Sequence, residues 1–279
     1  QRVAEKLGYH PLALQQAKAF VTHLRIRYED FLEEFESDGA RLFIDGFAKP
    51  EMHVHTMRTL WNMQLRQLTP DAVLALRCCS LLDPDRIPVD VVGHSIESKT
   101  EAETGFVMRE LIAFSLVSES GAGSSSCINV HRLLQQVVRE QLSPAALEMH
   151  IMSTLSGLHS ESEKLDENDP KTWRVVVQLQ PHVKAWTNNL KPTTRDKLSV
   201  DPRRLSVLFN LAMALSNIGK YPDALALYEE VKAGQAEALG TTHPDYLRTL
   251  NNMAIVLRNQ NDLAGAMALY EEVKAGRAE

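Results

Sequence analysis

The chain has 279 residues, of which 44% are hydrophobic and 24% charged, with a formal net charge of -6 and a pI near 6.0. That balance belongs to a folded protein of two or three ordinary domains and excludes a disordered chain. Mild acidity gives no electrostatic reason to expect nucleic acid or an anionic membrane as partner, and no apolar run approaches the ~18–20 residues of a membrane span.

The longest apolar run lies near Leu111–Val117, and no secretory signal is visible. Cys78, Cys79 and Cys127 are too few and too irregular for a disulfide framework, so they read as reduced, buried thiols of a cytoplasmic protein. The chain begins at Gln1 and stops at Glu279 partway through a repeat, so both ends read as cuts in a longer protein.

Val3–Val21 predicts two helices. Gly8 ends the first, and Pro11 opens a second that runs amphipathically through Leu12, Leu14, Ala17 and Val21. Met57–Leu68 predicts a helix carrying Leu60, Trp61, Leu65 and Leu68, and Thr69-Pro70-Asp71 opens another over Ala72–Leu82. Asp83–Pro88 breaks it and allows a short extended segment before a helix over Glu101–Phe114. Leu116–Ser120 and Ser126–Val130 flank the glycine- and serine-rich turn Gly121–Ser125, which reads as a hairpin with a flexible tip. His131–Gln141 predicts a helix with Leu133, Leu134, Val137 and Val138 inside. Three helices with a β-hairpin make a winged-helix pattern. Ser143–Leu190 predicts a helical bridge, and Lys191–Arg203, with Pro192 and Pro202, a linker.

Winged helices often bind DNA, but His53–Leu142 carries eight Lys/Arg against ten Asp/Glu. Its would-be recognition helix sets Glu101, Glu103 and Glu110 against Lys99 and Arg109, a poor footprint for phosphates.

The C-terminal part repeats itself. Tyr228–Gly234 recurs as Tyr270–Gly276, an offset of 42 that also relates Asn210 to Asn252, Leu215 to Leu257 and Ala224 to Ala266. Each unit holds two helical patterns. Leu247, Leu250, Ala254 and Leu257 mark one, opened by Pro244; after a turn at Asn261-Asp262 the other follows through Leu263, Ala266, Met267, Tyr270 and Val273. Gly219–Pro222 makes the equivalent turn in the first unit. A lone helix pair cannot bury its apolar face, so neighbours must stack, and further repeats are expected past Glu279.

Asn210 and Asn217 lie two turns apart on one helix face, and Asn252 and Asn259 repeat the spacing. An amide both donates and accepts, so these four suit a peptide backbone; capping or bridging within the repeat is the alternative. His53-x-His55 lacks further ligands at metal spacing and reads as surface. No phosphate-binding loop of the Gly-x-x-x-x-Gly-Lys-Ser/Thr kind is present, so no enzyme activity is expected of this chain.

The unit His243–Ala254, followed by Tyr270-Glu271-Glu272, resembles the 42-residue tetratricopeptide repeats of kinesin light chains. That resemblance implies a protein or peptide ligand on the concave face. Leu7–Leu14 resembles the Gly-x-Pro-Leu-Ala-Leu motif of NB-ARC-type (STAND) signalling NTPases, with one extra residue between Gly8 and Pro11. Val130-His131-Arg132 stands where that family carries Met-His-Asp, with Arg132 replacing the Asp. This resemblance implies that Pro11 and His131 contact nucleotide in a full-length protein that binds ADP or ATP with Mg, and that ligand binding can drive oligomerisation.

The expected chain is mainly α. It comprises the end of a small helical domain (1–52), a winged helix with a small hairpin wing (53–142), a bridge and linker (143–203), and an α-solenoid of repeat helix pairs (204–279). The expected function is the interaction and regulatory region of a nucleotide-switched signalling protein, with the winged helix relaying ligand binding. A kinesin-light-chain-like adaptor without nucleotide is the alternative, and a DNA-binding regulator the third reading.

Overall fold

The computed structural model describes residues 1–44, 52–97, 100–120 and 126–277, the side chains of 40–44 and 52–54 apart. The predicted turn Gly121–Ser125, Lys99 and the His53 side chain lie outside the described residues. The chain is mainly α and divides into two compact units, Gln1–Thr154 and Leu155–Glu279.

The first unit runs α1 (Arg2–Lys6), α2 (Pro11–Leu24), α3 (Tyr28–Ile44), α4 (Met52–Leu65), α5 (Pro70–Cys79), β1 (Ile87–Pro88), α6 (Val89–Ser95), α7 (Glu101–Ala113), β2 (Val117–Ser120), β3 (Cys127–Val130) and α8 (Arg132–Glu140), and ends inside α9 (Pro144–Ser162). Gly8 and Tyr9 both take positive φ, which reverses the chain between α1 and α2. His10 then caps α2 by accepting the Ala13 N–H at 3.4 Å. α4 packs against α2, α3 and α8, with Met57, Leu60, Trp61 and Met63 at most 2% exposed. Phe20 meets Phe31 and Phe114 with ring centroids 5.9 and 6.2 Å apart. Arg66 ties α4 to α3 through the buried Asp38 at 2.6 Å and Glu34 at 2.9 Å.

The predicted hairpin forms, with Val117 opposite Val130, and β1 adds a third strand by pairing Ile87 with Ile128 in the antiparallel order β1-β3-β2. α6 had no sequence signal. Val89, Val91 and Val92 are poor helix formers, but full burial of Val91 and Val92 outweighs that small propensity cost. Side chains close the helix ends that the backbone leaves open. Gln135 Nε2 donates to the carbonyls of Cys79 (2.9 Å) and Leu82 (3.1 Å), Arg139 donates to Ser80, and Gln64 donates to Phe114 at 3.3 Å. Cys78, Cys79 and Cys127 are free and buried; burial pushes the Cys78 thiol up to about 12, so it is unreactive at neutral pH.

The second unit holds the rest of α9, then α10 (Pro170–Val177), α11 (Gln180–Asn188), α12 (Pro192–Leu198), α13 (Pro202–Asn217), α14 (Tyr221–Leu239), α15 (Pro244–Asn259) and α16 (Leu263–Gly276). The expected linker at 191–203 is instead α12 and the first turn of α13. Pro192 and Pro202 both sit in helix first turns, where a missing N–H costs nothing, so here proline starts helices instead of breaking them.

The 42-residue offset holds in three dimensions. Gly219 and Asn261 both turn left-handed after their first helices, and Lys220 and Asp262 donate to the carbonyls of Leu215 and Leu257, each at 2.9 Å. Arg204 pairs with Glu230 where, 42 residues on, Tyr246 donates to Glu272 at 2.9 Å. α14 packs against both α13 and α15, and the fully buried Thr249 hydroxyl bonds Gln235 Oε1 at 2.7 Å between successive repeats.

The two equivalent glycines, Gly234 and Gly276, predict unequal responses to alanine. A Cβ at Gly234 would lie 2.5 Å from the Ser199 carbonyl oxygen and 2.6 Å from Leu205 Cδ2. At Gly276 it would meet only the Leu247 side chain, with Cδ2 at 2.7 Å. Overpacking against fixed backbone costs about 1–3 kcal/mol, and alanine returns up to ~1 kcal/mol of helix propensity. Gly234→Ala is therefore expected to lower the urea midpoint, and Gly276→Ala to leave the unfolding free energy within about 0.5 kcal/mol of wild type, because alanine's helix propensity offsets the overpacking.

His150 gives a pH prediction. It is 2% exposed, and neither ring nitrogen has a hydrogen-bond partner among the described residues. Burial, aided by the charge of Arg77, lowers its pKa. The unfolded chain therefore takes up a proton as pH falls through about 6.5 while the folded chain stays neutral, so stability is full above that pH and drains below it. Denaturation at pH 7.5 and 5.5 is expected to show this acid-side loss, and His150→Leu to shrink it; an equal loss in the variant would contradict the assignment.

Candidate peptide-binding groove

The four asparagines sit on α13 and α15, the first helices of the two repeats, and the fold treats them differently. Asn210 Nδ2 donates to the Ser162 carbonyl at 3.2 Å and to Glu163 Oε1 at 3.1 Å. Ser206 donates to the same Glu163 oxygen at 2.7 Å, so Asn210 bridges α13 to the end of α9. Asn217 and Asn252, from successive repeats, line one depression of about 270 Å³. Asn259 is exposed at the last residue of α15 and does not line it.

Met213 and Ile255, which share a repeat position, also line the depression, together with Glu167 and Tyr228. Tyr228 is 1% exposed and meets Phe209 edge-on, with ring centroids 5.7 Å apart. Burial holds the Tyr228 hydroxyl well above its ordinary pKa; the Asn252 amide offsets part of this, Glu167 adds to it, and Arg248 reduces it. The Arg248 guanidinium carbon stands 4.4 Å from the Phe209 ring centroid, a cation–π contact, and its Nη2 is 3.9 Å from Asp245. The depression thus has apolar sides, amide donors and acceptors, and one carboxylate.

Pro11 and His131 stand at the first turns of separate helices in the first unit. Pro11 is exposed in the first turn of α2. His131 is the exposed N-cap of α8, and its Nδ1 accepts the Leu133 N–H at 3.2 Å. With Nδ1 committed as acceptor, the neutral ring carries its proton on Nε2, aimed away from the cap. Neither residue lines the 520 Å³ depression of this unit, which lies near the C-terminal ends of α2 and α7 beside Lys18, His23 and Arg25. Glu103 and Glu110 of α7 are spent on structure. Glu103 completes a capping box with Thr100, and Glu110 accepts from the Thr69 N–H at 2.7 Å and its hydroxyl at 2.6 Å. Among the described residues, no three His, Cys, Asp or Glu side chains gather as a metal site, and no helix is long and apolar enough to cross a membrane.

Sequence reasoning named only asparagines for the groove and missed its other lining residues, Met213, Ile255, Tyr228 and Glu167 among them, together with Arg248, which acts on Tyr228. Tyr228 was visible within the repeated Tyr-Glu-Glu, and Arg248 lies one turn before Asn252. Glu167 stands outside the repeats and carried no periodic signal.

Residues 203–279 match the tetratricopeptide repeat family, so this part of the chain is a tetratricopeptide region. Residues 63–147 match a domain of unknown function, DUF7779. No curated protein sequence matches the chain. Among solved structures it is similar to a Signal Transduction ATPase with Numerous Domains (STAND) protein with a tetratricopeptide repeat sensor from Pyrococcus horikoshii, at 12% identity and a TM-score of 0.35. That match covers 94% of this chain and 40% of the archaeal one, so the chain spans less than half of that protein's length.

The cap at His131 separates two roles by substitution. His131→Ala removes the acceptor and is expected to cost the ~1 kcal/mol of a lost N-cap. His131→Asn keeps an acceptor and is expected to hold the wild-type urea midpoint, which makes it the cleaner probe of any contact made by Nε2.

Proposed function

We propose that this chain is the interaction and regulatory region of a STAND-type, nucleotide-switched signalling protein of the NB-ARC kind. Its kinesin-light-chain-like repeats bind a protein or peptide ligand on the concave face, and its winged-helix unit relays that event to a nucleotide site in the full-length protein. The chain itself carries out no catalysis. The observation that carries the reading is the meeting of Asn217 and Asn252, from successive repeats, at one depression over Tyr228. Amides at that spacing suit an extended backbone, because each can donate and accept without selecting a side chain.

The nucleotide half of the reading rests on residues of the first unit. Pro11 at the start of α2 and the outward Nε2–H of His131 at the start of α8 are the groups that would meet ADP. A helix N-terminus already favours an anion, and a neutral imidazole donor beside it adds a hydrogen bond to phosphate. Bound nucleotide would supply the anionic charge that holds the resting arrangement. Ligand binding shifts that arrangement only to the extent that the repeats bind more tightly in the active one, and such a ligand can also drive oligomerisation. A cytoplasmic setting is part of the proposal, in keeping with three free, buried cysteines.

The 42-residue period of the repeats favours a second reading, a kinesin-light-chain-like adaptor without nucleotide. The two part on one measurement. The first predicts that the full-length protein purifies with bound ADP, released on denaturation and measured by chromatography, and that His131→Asn loses ADP at least severalfold faster. Full-length protein free of nucleotide, with peptide binding intact, would leave the adaptor.

A further inference from the structure

The acidic residues from the last turn of α9 to the start of α10 are unequally occupied. Glu161 pairs with Lys164 at 2.7 Å, Glu163 accepts from Ser206 and Asn210, Asp166 accepts the Asn168 N–H at 2.8 Å, and Asp169 caps α10 through the Lys171 N–H at 2.9 Å. Glu167 makes no hydrogen bond or ion pair among the described residues, is exposed, and lines the 270 Å³ depression. The nearby cation, Arg248, is already set over Phe209 and beside Asp245. The charge left unanswered at the depression is therefore negative, and it comes from a loop outside the repeats.

We infer that this depression takes the side chain of a lysine or arginine from a peptide ligand, with its cation at Glu167. Met213 and Ile255 offer apolar walls to the alkyl stem, and the polar residues Ser216 and Asn217 line the depression beside Glu167. The volume suits one long side chain and falls below the ~300–1,000 Å³ of pockets for drug-sized ligands. The inference rests on the groove reading above and adds its selectivity: the non-repeat loop, through Glu167, makes this end of the groove choose basic residues.

The test is selection of a random decapeptide phage library on the 279-residue chain, followed by fluorescence polarisation with the enriched peptides. Three variants serve as comparisons, Glu167→Gln, Glu167→Lys and Asn217→Ala, each at an exposed position and each checked by thermal melting. Enriched peptides are expected to share a Lys or Arg. Their affinity is expected to fall roughly threefold to fivefold on Glu167→Gln, the range of a solvent-exposed ion pair. Charge reversal in Glu167→Lys is expected to cost more than tenfold, and added salt to weaken the wild-type complex. Enriched peptides without a basic position, or with equal affinity for wild type and Glu167→Lys, would overturn this inference while Asn217→Ala still weakened binding. No enrichment, or binding indifferent to Asn217→Ala as well, would overturn the groove reading together with it.

Discussion

Burial of one phenol joins the helices on which the candidate site depends. Tyr228 lies on α14, is almost wholly removed from solvent, and meets Phe209 of α13 edge-on. The Asn252 amide of α15 lines the same depression and offsets part of the rise in its hydroxyl's pKa. One side chain therefore packs on the first helix of its own repeat and shares a depression with residues of the first helix of the next. An aromatic ring of this size supplies a large apolar surface, while its hydroxyl keeps a polar neighbour within reach. The same placement brings Asn217 and Asn252 to one depression, so repeat stacking and the candidate groove share a cause.

The repeat position equivalent to an ion pair in one unit is a neutral hydrogen bond in the next. Arg204 meets Glu230, and 42 residues later Tyr246 meets Glu272; burial, aided by Glu272, pushes the Tyr246 hydroxyl up to about 12. What the fold requires there is a long donor reaching the same carboxylate, and a guanidinium or a phenol can supply it. The second helix of each repeat must also lie close to its surroundings, and Gly234 meets backbone where Gly276 meets only a leucine side chain. Equivalence in sequence is thus not equivalence in constraint, because the neighbours of the two repeats differ.

Helix termini in both units are closed by side chains. Among the described residues, histidines cap three helices through Nδ1: His10 on α2, His131 on α8 and His243 on α15. In each the cap requires an unprotonated Nδ1 and so fixes the neutral tautomer. Gln64, Gln135 and Arg139 serve the opposite ends by donating to carbonyls left open at the C-termini of α7 and α5. Polar groups that composition alone assigns to the surface, such as the 3%-exposed Gln135, are in this way drawn into the core.

The sequence by itself determined the mainly α class, the 42-residue unit and the turn residues. Those signals are local: a period of apolar residues, a proline at a helix start, and a glycine or asparagine able to turn left-handed. It also placed the four asparagines on the first helices, since spacing of seven along a helix fixes a face. Only the tertiary structure decided which of the four remain available to a ligand. Asn210 is taken by the end of α9, while Asn217 and Asn252 meet across two repeats. It likewise decided that β1 joins the hairpin, that Val89–Ser95 is helical and that the expected linker at 191–203 holds α12 and the first turn of α13. Glu167 belongs to the same group. Its place in the groove comes from packing between segments distant in the chain, and packing of that kind leaves no period for a sequence to reveal.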